Sequence, residues 1–399
     1  MTRDILTEQL SELLEEYNGQ NDPLLEMMTY LLSRVMELEI NQRTGSDKGE
    51  HNPERAGYRS GYRSRRFDTR LGTMNLEIPK LRKGGYVPFF MNRWQRSEKA
   101  LVSVVVEAYK NGVSTRKIKH LAESMGVTSI SAAEVSEMNK SLDGMVRDFR
   151  ERKLEAEYPV IWVDALYEDI REDGRIEGKA VMVVKAVTLE GKQDIIAVEV
   201  MENESEETYL NLFNGLKARG VEKVWLCVSD AHKGLKAAIR RAWTGSCWQR
   251  CKVHFMRNIL ANVPQRMQRE FSSRLKLIWK APDAETARKL KEDLVSRYEK
   301  RLPKAIECLE EGFEDSIQYY NFTLLDFRKT SSTNTLERLN KEIRRRTKVV
   351  GVFPSMKSYI RLVTSYLIEY REDKLSGASY IRAETLKQQK ELLESGKVA

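Results

Sequence analysis

Residues 158–167 read Tyr158-Pro159-Val160-Ile161-Trp162-Val163-Asp164-Ala165-Leu166-Tyr167. An uncharged run this rich in β-branched and aromatic residues, closed by an acid, is the pattern of a strand buried on both faces. A strand is therefore expected over residues 159–167. Two more strand patterns follow, over 179–189 and 194–200, joined by the turn Glu190-Gly191-Lys192. Then the period changes. A helix is expected over 206–220, an apolar strand over 223–229, a helix over 233–243 and a short candidate strand over 247–250.

The resulting β-β-β-α-β-α order is the topology of an RNase H-like fold, so the expected class is α/β. Downstream, residues 255–328 turn helical and densely charged, punctuated by Pro264, Pro282 and Pro303. A further helix is expected from Asn334 to about Lys348, ended by Gly351-Val352-Phe353-Pro354. Upstream, residues 97–150 have the shape of a helix-turn-helix. Ser97 is placed to cap a helix that Asn111-Gly112 stops, with Leu101, Val104, Val105 and Ala108 inward. Ser114 caps a second, with Ile118 and Leu121 inward, and Gly126 ends it. Ser131 opens a third, carrying Lys140, Arg147 and Arg150. In residues 1–40, leucines recur at helical spacing on both sides of Asn21-Asp22-Pro23, which reads as two amphipathic helices. Such helices can pack on another subunit or on the rest of this chain. A homodimer with Leu10, Leu13, Leu31 and Val35 on the buried face is the expectation.

Among 399 residues there are 68 Lys and Arg against 59 Asp and Glu, a net charge of +9. The excess is concentrated between Arg55 and Arg96, where eleven basic residues face only Asp68 and Glu77. This stretch holds a near-repeat, Gly57-Tyr58-Arg59-Ser60 and Gly61-Tyr62-Arg63-Ser64, followed by Arg65 and Arg66. Arginines fork onto phosphates and tyrosines offer stacking faces. Residues 41–96 therefore read as a DNA-binding segment contacting phosphate through Arg59, Arg63, Arg65 and Arg66; a solvated basic loop is the bland alternative. No run approaches the roughly 18 apolar residues of a membrane span, so no membrane partner is expected. The amphipathic, acidic start is not a signal peptide. Four cysteines cannot form a disulfide framework, which points to a reducing cytosol.

Three acids can carry chemistry. Asp164 lies on or at the end of the first strand, Asp230 ends the fourth, and Glu337 lies in the late helix. Neighbouring strands lie about 4.8 Å apart, so two carboxylates on paired strands can reach one divalent ion. Phosphoryl transfer asks for hard oxygen ligands holding two Mg²⁺ roughly 3.5–4 Å apart. Each acid also has a plain structural reading: Asp230 as a helix N-cap, Asn334-x-x-Glu337 as a capping box, Asp164 as a strand-end acid facing water. Cys251-x-x-His254, with Cys247 nearby, invites a zinc reading, but no second ligand pair is visible. Trp279, among helical residues, reads as core. Arg250 and Arg257, and Arg344 and Arg345 in the run after Glu337, are candidate phosphate contacts.

With these residues in hand the sequence resembles a known family. Asp164 in WVDALYEDIRE, Asp230 in VSDAHKGL, Cys251 and His254 in QRCKVHFMRN, and Glu337 in SSTNTLERLNKEIRRRTKVVGVFP look like the signatures of bacterial Mutator-type insertion-sequence transposases. The resemblance implies a DDE catalytic domain of RNase H-like fold, in two parts at 151–254 and 329–370, with an all-helical insertion at 255–328. It implies Asp164, Asp230 and Glu337 as catalytic metal ligands, and Cys251, His254 and Asn334 as residues organising the site. The working metal would be Mg²⁺, with Mn²⁺ as substitute. The DNA partners would be terminal inverted repeats and target DNA, handled in the bacterial cytoplasm at the nucleoid. Residues 371–399 read only as a charged tail. Two competing readings are a non-catalytic DNA-end-binding regulator and an RNase H-like nuclease or resolvase that cuts without joining.

Overall fold

The computed structural model describes residues 22–395 except 51, 93–95, 129, 173 and 202. The chain forms two units, one ending at Ser141 and the other starting at Leu142.

Among the described residues, the first unit opens with the helix Pro23–Thr44, whose first turn is capped by Asp22 onto the Leu25 N–H. Met36 and Ile40 of this helix pack on an antiparallel ribbon of β1 (Arg59–Thr69) and β2 (Gly72–Leu81). The basic segment is thus a ribbon and not a loop. Phe67, Met74, Leu76 and Ile78 alternate along it and are buried, a period-two pattern that the density of arginines hides. One face of the N-terminal helix is therefore covered by its own chain. Leu24, Leu31 and Leu38, seven residues apart, remain exposed, and Val35 is half-buried. Leu10 and Leu13 lie outside the described residues.

Three short helices follow: Lys99–Lys110, Thr115–Ser124 and Ala132–Asn139. Ser114 and Ser131 cap the second and third as expected. Ser97 is not at the cap position, which Glu98 occupies; it is buried and forms an isolated bridge with Asp68, and the first helix starts at Lys99 without a side-chain cap. Leu101 and Val105 face inward with Tyr109, whereas Val104 and Leu121, expected inward, are exposed. The third helix does not carry Arg147 or Arg150. It stops at Asn139, which is buried and donates back to the Val135 carbonyl. The helix Leu142–Glu151 is a separate piece of the second unit, held there by Arg150–Glu199 and Arg361–Asp143 pairs.

The second unit is built on a five-stranded sheet in the order β5-β4-β3-β6-β7. Its strands are β3 (Glu157–Glu172), β4 (Arg175–Val187), β5 (Gln193–Met201), β6 (Lys223–Ser229) and β7 (Cys247–Arg250). The first three pair antiparallel; β6 and β7 run parallel to β3. Helices Glu206–Ala218 and Lys233–Ala242 connect them, so the β-β-β-α-β-α order is present, with the candidate fifth strand added. Tyr209, Phe213 and Ile239 of these helices bury Ile161 and Val163 on one face. Strand β3 runs five residues past Tyr167, because Leu166 and Ile170 stay buried while β4 continues alongside.

Helices Lys252–Leu260, Gln265–Ile278, Ala284–Tyr298 and Pro303–Ser316 share a core of their own, including Phe255, Phe271, Leu309 and Phe313. Trp279 belongs to it, its Nε1 donating to Ser316 Oγ at 3.0 Å. The chain then returns to the sheet with the helices Asn334–Thr347 and Met356–Ser376. The tail is no mere charged appendage. The Tyr380 and Ile381 N–H groups donate to the Gly191 carbonyl at 2.8 and 3.3 Å. In the helix Ala383–Glu394, Leu386 and Gln389 are buried, and Lys390 bonds to Glu157. Gly191 has φ 79°, and a Cβ there would lie 1.7 Å from the Ile381 oxygen, so only glycine allows this turn and this approach. No helix among the described residues is long and apolar enough to cross a membrane.

Candidate active site

Asp164 sits in β3 just past the last β3–β6 pair, Val163 with Ser229, and Asp230 directly follows Ser229. Parallel register thus delivers both acids to one end of the sheet. Glu337 lies in the first turn of the helix Asn334–Thr347. That helix is tied to the first acid by Asn340, whose Nδ2 donates to Asp164 Oδ2 at 2.7 Å. Glu337 and Asn340 are three residues apart and share one helix face.

His254 joins the other two acids. Its Nδ1 lies 2.7 Å from Asp230 Oδ1 and its Nε2 3.3 Å from Glu337 Oε1. The contacts lack hydrogen-bond geometry, leaving His254 Nδ1 and Glu337 Oε1 buried without a hydrogen bond. Contact with Asp230, then with Cys251, holds the imidazole protonated, with its pKa raised to about 10. Asp164 is pushed up to about 6, first by burial and next by the charge of Asp230, while the His254 cation pulls the other way. Cys251 is buried at the start of its helix and accepts from Thr333 N–H and Oγ1 at 3.4 and 3.3 Å. Burial opposes ionisation of this thiol, but hydrogen bonds from His254 and Thr333 outweigh it and lower the pKa.

The plain alternatives for two acids are absent. The helix after Asp230 begins at Lys233, with His232 before it and no side-chain cap. The Glu337 helix likewise has no capping bond, and Asn334 is exposed at its first position, so it is Asn340 and not Asn334 that reaches the acids. Sequence reasoning missed Asn340, although its spacing from Glu337 was readable. It also missed Thr333 and Lys185, the latter a lone charge inside the apolar run 180–187.

The donors suit a hard divalent ion: three carboxylates, one oxygen of Glu337 without a hydrogen bond, and Asp164 held up by burial and then by a neighbouring charge. As placed, no three His, Cys, Asp or Glu side chains among the described residues close around one point, since His254 stands between Asp230 and Glu337. Asp164, Asp230 and Glu337 are the residues that would hold the ion. Arg250 is not a free phosphate contact: it stacks at 4.0 Å on Phe255, against Gly312, where a Cβ would meet its Nη1 at 2.0 Å. Arg257 and Arg344 are exposed, and Arg345 is exposed beside Glu342.

A family model described as "Transposase, Mutator family" matches residues 1–376. The chain belongs to the Mutator family of transposases. It is 36% identical over 370 residues to the transposase for insertion sequence element IS256 in transposon Tn4001 of Staphylococcus aureus, covering 92% of this chain and 94% of that one. It is 36% identical over 396 residues to the transposase for IS1081 of Mycobacterium tuberculosis, covering 99% and 94%. The transposase for ISRM5 of Rhizobium meliloti is also 36% identical, over 371 residues and 93% of each chain.

In this Mutator-family chain the basic ribbon sorts its arginines. Arg63, Arg65 and Arg66 line a cavity of about 410 Å³ with Ser64, Asp68, Arg96 and Glu134. Arg65 is lowered by burial first and then by its neighbours Arg63 and Arg96, the mark of crowded positive charge. Arg66 is paired with Asp68, and Arg59 turns away to Glu37 at 2.8 Å.

Proposed function

We propose that this transposase binds the terminal repeats of its own insertion element and cuts and joins DNA strands at Asp164, Asp230 and Glu337, on a catalytic unit of RNase H-like fold. The meeting of three acids from strand β3, the end of β6 and a distant helix, bridged by one imidazolium and tied by one amide, carries this reading. Bound Mg²⁺ would supply positive charge at the scissile phosphate and polarise the attacking oxygen. The chain's own part is orientation: Asn340 holds one oxygen of Asp164, leaving the other for the ion, and His254 keeps Asp230 and Glu337 side by side. Water is the nucleophile for cutting, and the freed 3′-hydroxyl for joining. The cavity of Arg63, Arg65, Arg66 and Arg96 supports phosphate contact by the first unit, and exposed Arg257, Arg344 and Arg345 support it near the acids.

The deciding measurement is strand transfer of a labelled oligonucleotide carrying the element's end, with Mg²⁺. Asp164→Ala, Asp230→Ala and Glu337→Gln should each abolish cutting while end binding stays within about twofold, because they remove ligands and not phosphate contacts. Substantial Mg²⁺-dependent cutting by any of the three removes that residue from the site. One chain carries one triad, so joining two ends calls for a homodimer, and light scattering on end DNA should report two copies; a monomer there excludes it.

A further inference from the structure

Lys185 lies in the middle strand of the antiparallel part of the sheet, β4, and is 1% exposed. It pairs across the ladder with Trp162, two residues before Asp164 on the same face of β3. On the other side of β4 the register with β5 shifts between Val184 and Lys185, an irregularity of the kind that re-aims a side chain. The Nζ reaches Thr335 Oγ1 at 2.7 Å and the Tyr370 hydroxyl at 2.8 Å. Both partners are neutral, and none of its hydrogen bonds goes to a carboxylate. Burying an amine on such terms is costly, and an apolar residue of the same volume would be the more stable choice.

The identity of the partners explains the placement. Thr335 stands two residues before Glu337, and Asn340, three residues after it, is bonded to Asp164. The first two turns of the Glu337 helix are therefore tied to the sheet at two points that bracket the acid. We infer that Lys185 is a positioning residue, holding the first turn of that helix so that Glu337 faces Asp164 and Asp230. The amine is lowered to about 7, by burial first and then by Lys374 and Arg338, while Tyr370 is raised to about 12 by burial and by Tyr366 and Tyr380 and stays protonated. The amine donates to both hydroxyls.

The inference rests on the proposed function for its catalytic arm, and the experiment keeps the two apart. In the metal-free full chain, hydrogen exchange of residues 334–340 should be faster in Lys185→Met than in the native protein, with exchange of β3 and β6 unchanged and the melting temperature equal or higher. Unchanged exchange overturns the inference whatever the activity. In the strand-transfer assay, Lys185→Met and Thr335→Val should each lower kcat about tenfold or more without changing KM for end DNA, since small displacements of a reacting group have effects of this order. The double variant should be no worse than the poorer single one, because both remove the same tie. Losses that multiply, or a native rate in Lys185→Met, overturn the positioning role. A native chain that fails to cut at all defeats the catalytic reading, and the exchange result still decides whether Lys185 holds the helix.

Discussion

Lys185 is buried against the same sheet as the acids, and it makes stability depend on pH in a defined direction. Its folded pKa is lowered to about 7 from an ordinary 10.5. Between those values the unfolded chain binds the proton and the folded chain does not, so stability rises with pH from about 7 to 10.5 and is level in this respect below 7. Lys185→Met removes that part of the slope and should stabilise the protein at neutral pH, by an amount bounded at roughly 3–5 kcal/mol for a shift of this size. Denaturant melts of both chains at pH 7 and 10 check this; equal slopes would mean the amine stays charged. Together with the kinetic effect argued above, the residue is a case of stability given up for placement. Single residues were unevenly legible in the sequence. The three acids stood at ends of recognisable elements, while Asn340 and Lys185 act through partners 176 and 150 residues away, and such pairings have no local pattern.

At the scale of elements, the ribbon turns a count of arginines into a division of labour. Arg63, Arg65, Arg66 and Arg96 gather at one cavity, where Arg66 is paired with Asp68, whereas Arg59 is held by Glu37. Neutralising Arg63, Arg65 and Arg96 should lower the slope of log affinity against log salt by about 0.9 for each phosphate that the protein no longer neutralises, while Arg59→Gln should leave it nearly unchanged. Filter binding to end DNA over a range of salt checks this, and an unchanged slope in the triple variant would make the cavity a bystander. The strands of the five-stranded sheet and their helices were legible because their apolar runs are long and their turns carry glycine. The ribbon was not. Its core side chains, Phe67, Met74, Leu76 and Ile78, are four among many charges, and Met36 and Ile40, against which they pack, lie outside the segment. The end of the third small helix was missed for a related reason, since the break between Asn139 and Leu142 carries neither glycine nor proline.

At the scale of the molecule, the helix Ala383–Glu394 is part of the second unit. Removing residues after 377 uncovers Trp162, which meets Tyr380 edge-on at 5.8 Å, and frees Glu157 from Lys390. Such a truncation should lower the melting temperature by several degrees, as expected for the loss of a few kcal/mol in a unit of this size, and should depress strand transfer with it. Gly191→Ala should act in the same direction through its clash with Ile381. Calorimetry with the strand-transfer assay checks both; a truncated chain with native melting and native rate would return the tail to the status of an appendage. The docking of the tail on Gly191 also bears on how the protein is made. A polypeptide leaves the ribosome from its first residue onward, so the basic ribbon and the small helices can form while most of the sheet's partners are still untranslated. Glu337, the Tyr370 hydroxyl and the segment that closes over Gly191 emerge late. A nascent or interrupted chain therefore carries the basic ribbon before it carries Glu337 or the segment over Gly191, so on the proposed function binding would be assembled ahead of cutting.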